Sequence, residues 1–225
     1  MPIDRIVVGT MREEASRQDT IAHNLANVST NGYRRLLPFN DGAGFRTVLD
    51  RAQGVLTETA APLDLSIRGN GGWFVVTGNG QPQLTRDGSF QIGADGVLAT
   101  RDGRPVRGRG GETIKLDPTA ACEVGQDGTI RQRGQVVDQL LVVDPGADTP
   151  LRPAGKASYE APAAAQLTPM NAVLQQGRVE AANVNPLTEM TEFMMSTRSF
   201  EFGQKALSID SEIQRMLIRD VGRTR

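Results

Sequence analysis

The sequence predicts an α+β protein in which long N- and C-terminal amphipathic helices, a coiled-coil-like pair, flank a central all-β domain. Two observations carry this. Apolar residues recur at steps of three and four near both ends of the 225-residue chain, and short apolar runs broken by Asx-Gly pairs fill the middle.

Residues 1–35 read as a helix and a turn motif. Over about 3–28, Val7 or Val8, Met11, Ala15, Gln18, Ala22 and Leu25 form a narrow seam, with Ile21 and Val28 beside it and Arg12, Glu13, Arg17 and Asp19 on the other face. Such a stripe has to bury against another helix. It ends in Asn24-Leu25-Ala26-Asn27-Val28-Ser29-Thr30-Asn31-Gly32-Tyr33. Asn tolerates left-handed backbone and caps orphan carbonyls. Asn31-Gly32 is expected to reverse the chain, folding Tyr33 onto the apolar face and leaving Arg34 and Arg35 in solvent or on a neighbour.

Residues 36–62 read as an extended linker, with "NDGAGF" and "TAAP" as loop signals. Residues 63–143 read as the β-domain: "LDLSI", "WFVV", "SFQI", "GVLAT", "TIKL" and "VVDQLLVV" are strand-like runs. Between them stand Asn79-Gly80, Asp87-Gly88, Asp95-Gly96, Asp102-Gly103 and Asp127-Gly128, pairs that supply the positive φ of tight hairpins. "IGADGVL" and "VGQDGTI" echo each other and predict two similar hairpin corners. Residues 144–182 are rich in Pro, Ala and Gly and read as a poorly buried connector and return segment. Residues 183–225 close the chain with a helix over about 186–219. Asn185 suits its N-cap and Pro186 its first turn. Met190, Phe193, Met194, Thr197, Phe200, Leu207, Ile213, Met216 and Leu217 supply its stripe, which Gly203 weakens by about 1 kcal/mol.

Composition narrows the function. Twenty-five basic against 26 acidic residues, a net charge of −1, leave no basic excess for a nucleic acid. Cys122 is the single cysteine, so neither an internal disulfide nor a cysteine-based zinc site can form, and it is expected in the core. The single His23 is expected exposed on its helix, which leaves no nucleophilic triad to assemble, and no Gly-x-Ser-x-Gly elbow occurs. "RGNGGWFVVTGNG" has clustered glycines, but they lead into a strand and not a helix, so it is read as a hairpin or bulge seating Trp73 against the sheet. The Asp residues of the Asp-Gly pairs have a conformational role as turn formers. No catalytic residue, metal or cofactor is expected, and the chain is read as no enzyme. The apolar run of "MPIDRIVVGTMREE" is too short for a signal peptide or a membrane span, so a cytoplasmic location or export by another route is expected.

The string His23-Asn24-Leu25-Ala26-Asn27-Val28-Ser29-Thr30-Asn31-Gly32-Tyr33-Arg34 resembles the N-terminal signature of the flagellar rod and hook proteins of the bacterial basal body, with His23 in place of an Asn. Two further stretches agree. Gln53-Gly54, Thr57, Thr59, Leu63-Asp64-Leu65-Ser66-Ile67 and Gly69-Asn70-Gly71 are similar to the entry to that family's β-domain, with one extra Gly72 before Trp73. Gln176-Gly177, Glu180, Asn183-Val184-Asn185, Arg198 and Phe200-Glu201 are similar to its return to the last helix, with Ala182 for a Ser and Thr197 for a Gln. The resemblance spans nearly the whole chain. It implies a structural subunit that polymerises through its terminal helices, transmits torque from motor to hook, and reaches the periplasmic rod by the flagellar type III export apparatus without a cleaved signal peptide. Implied partners are copies of itself and other rod proteins, with no nucleic acid, membrane insertion or cofactor. One β-domain in this length fits the proximal rod type, with the distal rod or hook type as the alternative. The rival class is a secreted glycan-binding or adhesin β-domain, which requires an exposed aromatic platform around Trp73. For the assembly interface the expected residues are Met11, Ala15, Gln18, Ala22, Asn24, Leu25, Asn27, Val28, Gly32, Tyr33, Asn183, Val184, Met190, Phe193, Met194, Thr197, Phe200, Leu207, Ile213 and Met216.

Overall fold

The computed structural model describes residues 3–40, 44–78 and 80–221. Part of the "NDGAGF" loop, Asn79 of the Asn-Gly pair and the side chain of Leu217 lie outside the described residues. The architecture is α+β, with an N-terminal helix, a β-rich middle and a C-terminal helix. The chain divides into two compact units. One comprises Met1–Ala26, Leu36–Val48 and Asn185–Arg225; the other comprises Asn27–Arg35 and Leu49–Val184.

The first unit holds α1 (Ile3–Ala26), the hairpin of β1 (Leu36–Asn40) and β2 (Phe45–Leu49), and the long α2 described below.

The second unit is built of short strands. In chain order they are β3 (Leu56–Glu58), β4 (Leu65–Ile67), β5 (Trp73–Gly78), β6 (Gln81–Thr85), β7 (Phe90–Ile92), β8 (Leu98–Thr100), β9 (Cys122–Val124), β10 (Thr129–Gln132), β11 (Gln135–Gln139) and β12 (Val142–Asp144). Then come β13 (Arg152–Pro153), β14 (Ser158–Glu160), β15 (Thr168–Pro169), β16 (Leu174–Gln176) and β17 (Arg178–Glu180), before α2 (Pro186–Val221) in the first unit. Six strands form the main sheet in the order β13-β14-β6-β5-β12-β15. Its two edge strands carry Pro153 and Pro169, which lack the N–H that further pairing would need.

Alternation along β5 explains why its sequence is a continuous apolar run. Phe74 and Val76 face a core with Leu65, Ile67, Phe90, Ile130 and Leu174, while Trp73 and Val75 face a second core with Leu84, Val143 and Tyr159. A strand buried on both faces has no polar side to show.

The echoed turns form the same corner twice. Gly93 N–H donates to Val97 O at 2.8 Å, Val97 N–H donates to Asp95 Oδ1 at 3.2 Å, and Gly96 has φ 76°. In the second corner Gly125 N–H donates to Thr129 O at 2.8 Å, Thr129 N–H donates to Asp127 Oδ1 at 3.0 Å, and Gly128 has φ 84°. Cys122 is buried in the larger core, and His23 is exposed on α1, as expected.

Several readings differ from the structure. "VVDQLLVV" is not one strand: β11 and β12 lie in different sheets. "TIKL" forms only isolated bridges, although Ile114 and Leu116 are buried. β6 was hidden by Pro82, which sits at the hairpin end of the β5–β6 pair opposite Thr77. The stretch read as a poorly buried connector supplies β13 to β17 and buries Leu151, Tyr159 and Leu174. Its Pro and Gly content marks frequent turns, not lack of burial.

Candidate assembly interface

Within the first unit α1 and α2 run antiparallel. Asn24 Nδ2 donates to Glu189 Oε2 at 3.0 Å, and Ser196 Oγ donates to Glu14 Oε2 at 2.6 Å. At Gly203 a Cβ would lie 2.8 Å from Met11 Cγ. Glu189, Ser196 and Gly203 are seven residues apart, so they share one stripe of α2. This stripe is polar and small, not apolar. Asn24 also clips the start of β1, donating to Leu36 O and accepting from Leu36 N–H, both at 2.9 Å. The N-terminus of α2 is capped as the sequence suggests: Asn185 Oδ1 accepts from Leu187 N–H at 3.0 Å.

The apolar stripe of α2 points elsewhere. Met190, Met194, Phe202, Ile209 and Met216 are 53, 56, 73, 51 and 57 % exposed. At roughly 100° per residue they lie between about 100° and 180° around the helix from Glu189, Ser196 and Gly203, so they turn away from that stripe. Ile213 and Phe193 are also exposed, while Thr197, Phe200 and Leu207 are half-buried. On α1, Met11, Gln18 and Leu25 are half-buried, and Ala15 and Ala22 are exposed. The residues expected to line the interface thus fall into two sets, those at or beside the helix pair and those facing outward.

The remaining expected residues lie in the second unit, where the first signature meets the return segment. Thr30 N–H donates to Asn27 O at 2.9 Å, closing the turn. Gly32 has φ 68°, and its N–H donates to Glu180 O at 2.7 Å. Tyr33 packs with Val28, Ala157 and Val184. Asn183 Oδ1 accepts from Arg35 N–H at 2.6 Å, and its amide donates to Ala52 O at 2.9 Å.

Arg34 corrects the sequence reading, which put it in solvent or on a neighbouring chain. It is fully buried, with Nη1 2.5 Å from Glu180 Oε1 and its guanidinium 5.8 Å from the Trp73 ring centroid. Its N–H donates to the Tyr159 hydroxyl at 2.8 Å, and burial pushes that phenol up from its ordinary range. Arg86 holds the other side of the carboxylate, with Nε donating to Glu180 Oε2 at 3.0 Å and Nη1 to Gly72 O at 2.7 Å. Burial, opposed by the Glu180 charge, lowers Arg86 to about 10. Charges taken out of water are tolerated only when paired in this way. The sequence offered Glu180 and Arg34 as signature positions but no sign that they meet; Arg86 carried no signal at all.

Among the described residues no helix is long and apolar enough to cross a membrane. Trp73 is 1 % exposed and stacks edge-on to Tyr159 at 5.3 Å, so the aromatic platform that the adhesin reading requires is not there.

Three family models match successive parts of the chain. They are the flagella basal body rod protein model over residues 5–34, the flagellar hook protein FlgE/F/G D1 domain over 66–137, and the flagellar basal body rod FlgEFG protein C-terminal model over 175–220. A flagellar basal-body rod protein FlgF of Mesorhizobium japonicum is 37% identical over 82% of this chain and 83% of its own length. The chain belongs to the flagellar basal-body rod protein family. A FlgF of Caulobacter vibrioides is 30% identical over 97% of this chain and 98% of its own. A FlgG of Buchnera aphidicola subsp. Acyrthosiphon pisum is 29% identical over 88% and 91%. In this rod-family chain the first matched segment ends at Arg34 and the third includes Glu180, so the two segments meet at the buried ion pair.

Proposed function

We propose that the chain is a structural subunit of the flagellar basal-body rod, of the proximal type, and that it polymerises through its terminal helices. The observation that carries this reading is the outward apolar stripe of α2, which the helix pair leaves in water. Large apolar side chains repeated along one helix face favour burial against another chain. The two helices act as a coiled-coil-like pair whose polar inner contacts fix their alignment and whose outer faces meet neighbouring subunits. A heterologous contact of this kind that does not close generates a helical filament, and a packed tube of helices transmits torque from motor to hook.

The proximal assignment draws on relatives named FlgF at 30 and 37% identity over most of the chain. Copies of itself and other rod proteins are the partners, the flagellar type III apparatus exports it without cleavage, and it works in the periplasm. Its chemistry is structural, not catalytic. Electron microscopy of basal bodies from cells lacking the chain tests the reading. Rods that are missing or stop short are expected; normal full-length rods overturn it.

A further inference from the structure

We propose that the outward stripe of α2 docks, antiparallel and in one register, on the outward face of α1 of a second copy of this chain. The inference rests on the rod-subunit reading and specifies which surfaces meet.

Two exposed faces of the first unit complement each other. On α2 the outward face presents Phe202, Lys205, Ile209, Glu212 and Met216, at steps of three, four, three and four. On α1 a face distinct from the one meeting α2 presents Ala22, Asp19, Ala15, Arg12 and Val8, which read backwards give the same steps. Laid antiparallel, Phe202 sits on Ala22, Ile209 on Ala15 and Met216 on Val8. Each large side chain therefore meets a small or slim one, as knobs require. In the same register Lys205 faces Asp19 and Glu212 faces Arg12. Both charge pairs are seven residues apart on their helices, about 10 Å.

The alternatives fit worse. A parallel pairing that keeps Lys205 on Asp19 sets Arg198 against Arg12, like charge on like. Two α2 stripes face to face would set large side chains on large ones. The antiparallel contact also has the right polarity. Since α1 and α2 are antiparallel within one copy, a second antiparallel step makes successive copies point the same way, as a polar ring or helical row of subunits requires.

The test uses two full-length chains produced together in cells, one carrying Ala15→Cys and the other Ile209→Cys. Cys122 stays in place because it is buried. Basal bodies are isolated and treated with a mild oxidant. A disulfide-linked dimer is expected from this pair and not from Ala15→Cys with Met190→Cys. Adding Asp19→Lys to the first chain should lower the dimer yield about two- to fivefold, the scale of an exposed ion pair. Adding Lys205→Glu to the second should restore it. If both chains enter basal bodies yet give no dimer, or give as much with Met190→Cys, the contact is wrong while the rod reading stands. If the parent chain itself is absent from basal bodies, the rod reading fails first. If only the cysteine chains fail to enter, swimming decides: Asp19→Lys should impair it and Lys205→Glu in the same chain should restore it, and no restoration overturns the proposal.

Discussion

Gly32 is confined by two independent facts: its φ of 68°, and a Cβ position only 2.1 Å from Asp87 N. Gly32→Ala should therefore cost about 3 kcal/mol or more, measured by urea unfolding of the chain; a loss below about 1 kcal/mol would mean that the turn relaxes freely. Glu180 is the other fixed point, because one carboxylate holds both Arg34 and Arg86. Glu180→Gln leaves two buried guanidinium groups without their counter-charge and should cost about 3–5 kcal/mol. Asp87 behaves oppositely. Burial raises its carboxyl above the ordinary range, against the hydrogen bond it accepts from Ser89 N–H at 3.0 Å. A raised folded-state value means that its contribution is fully present below the unfolded carboxylate range and is lost as pH rises through the folded value. Asp87→Asn keeps an oxygen for Ser89 and removes the charge. Relative to the parent, the variant should gain stability from acid to neutral pH; an unchanged difference across that range would count against a buried charge.

The elements divide the work between polar and apolar faces. Gly203 lets α1 and α2 approach closely, since anything larger meets Met11. Gly203→Leu should push the helices apart and lower assembly into basal bodies, although leucine favours a helix more than glycine by nearly 1 kcal/mol. Higher incorporation would show that propensity outweighs approach. The outward stripe has a dynamic consequence. α2 has 36 residues, against 24 in α1, and among the described residues of its C-terminal half Ile209, Ile213 and Met216 are about half exposed. In the solitary chain amide exchange should be faster beyond Ile209 than around Ser196, and it should slow throughout on assembly. Uniform protection along α2 before assembly would argue against partners completing the helix.

At the scale of the whole chain, residues 27–35 group with the β-rich unit and 185–225 with α1. Residues 27–184 produced alone should thus keep the β-type circular dichroism and a cooperative thermal transition. Residues 36–184 should not, because they lack Gly32, Tyr33 and Arg34, which Glu180 and Val184 receive. Equal stability of the two fragments would place the signature outside the folding core.

The sequence by itself determined the helices, the Asn185 cap, the paired Gly-x-Asp-Gly corners and the family. Each depends on local periodicity, on a backbone angle open to few residues, or on an ordered string of residues. Only the tertiary structure decided what each face meets. The apolar stripe of α2 reads the same whether it turns toward α1 or away, and the polar series Glu189, Ser196 and Gly203 looks like a solvated face until Asn24, Glu14 and Met11 are placed against it. Arg34 likewise reads as a surface charge. Its burial depends on a glutamate 146 positions further along the sequence, and no local pattern encodes a partner at that distance.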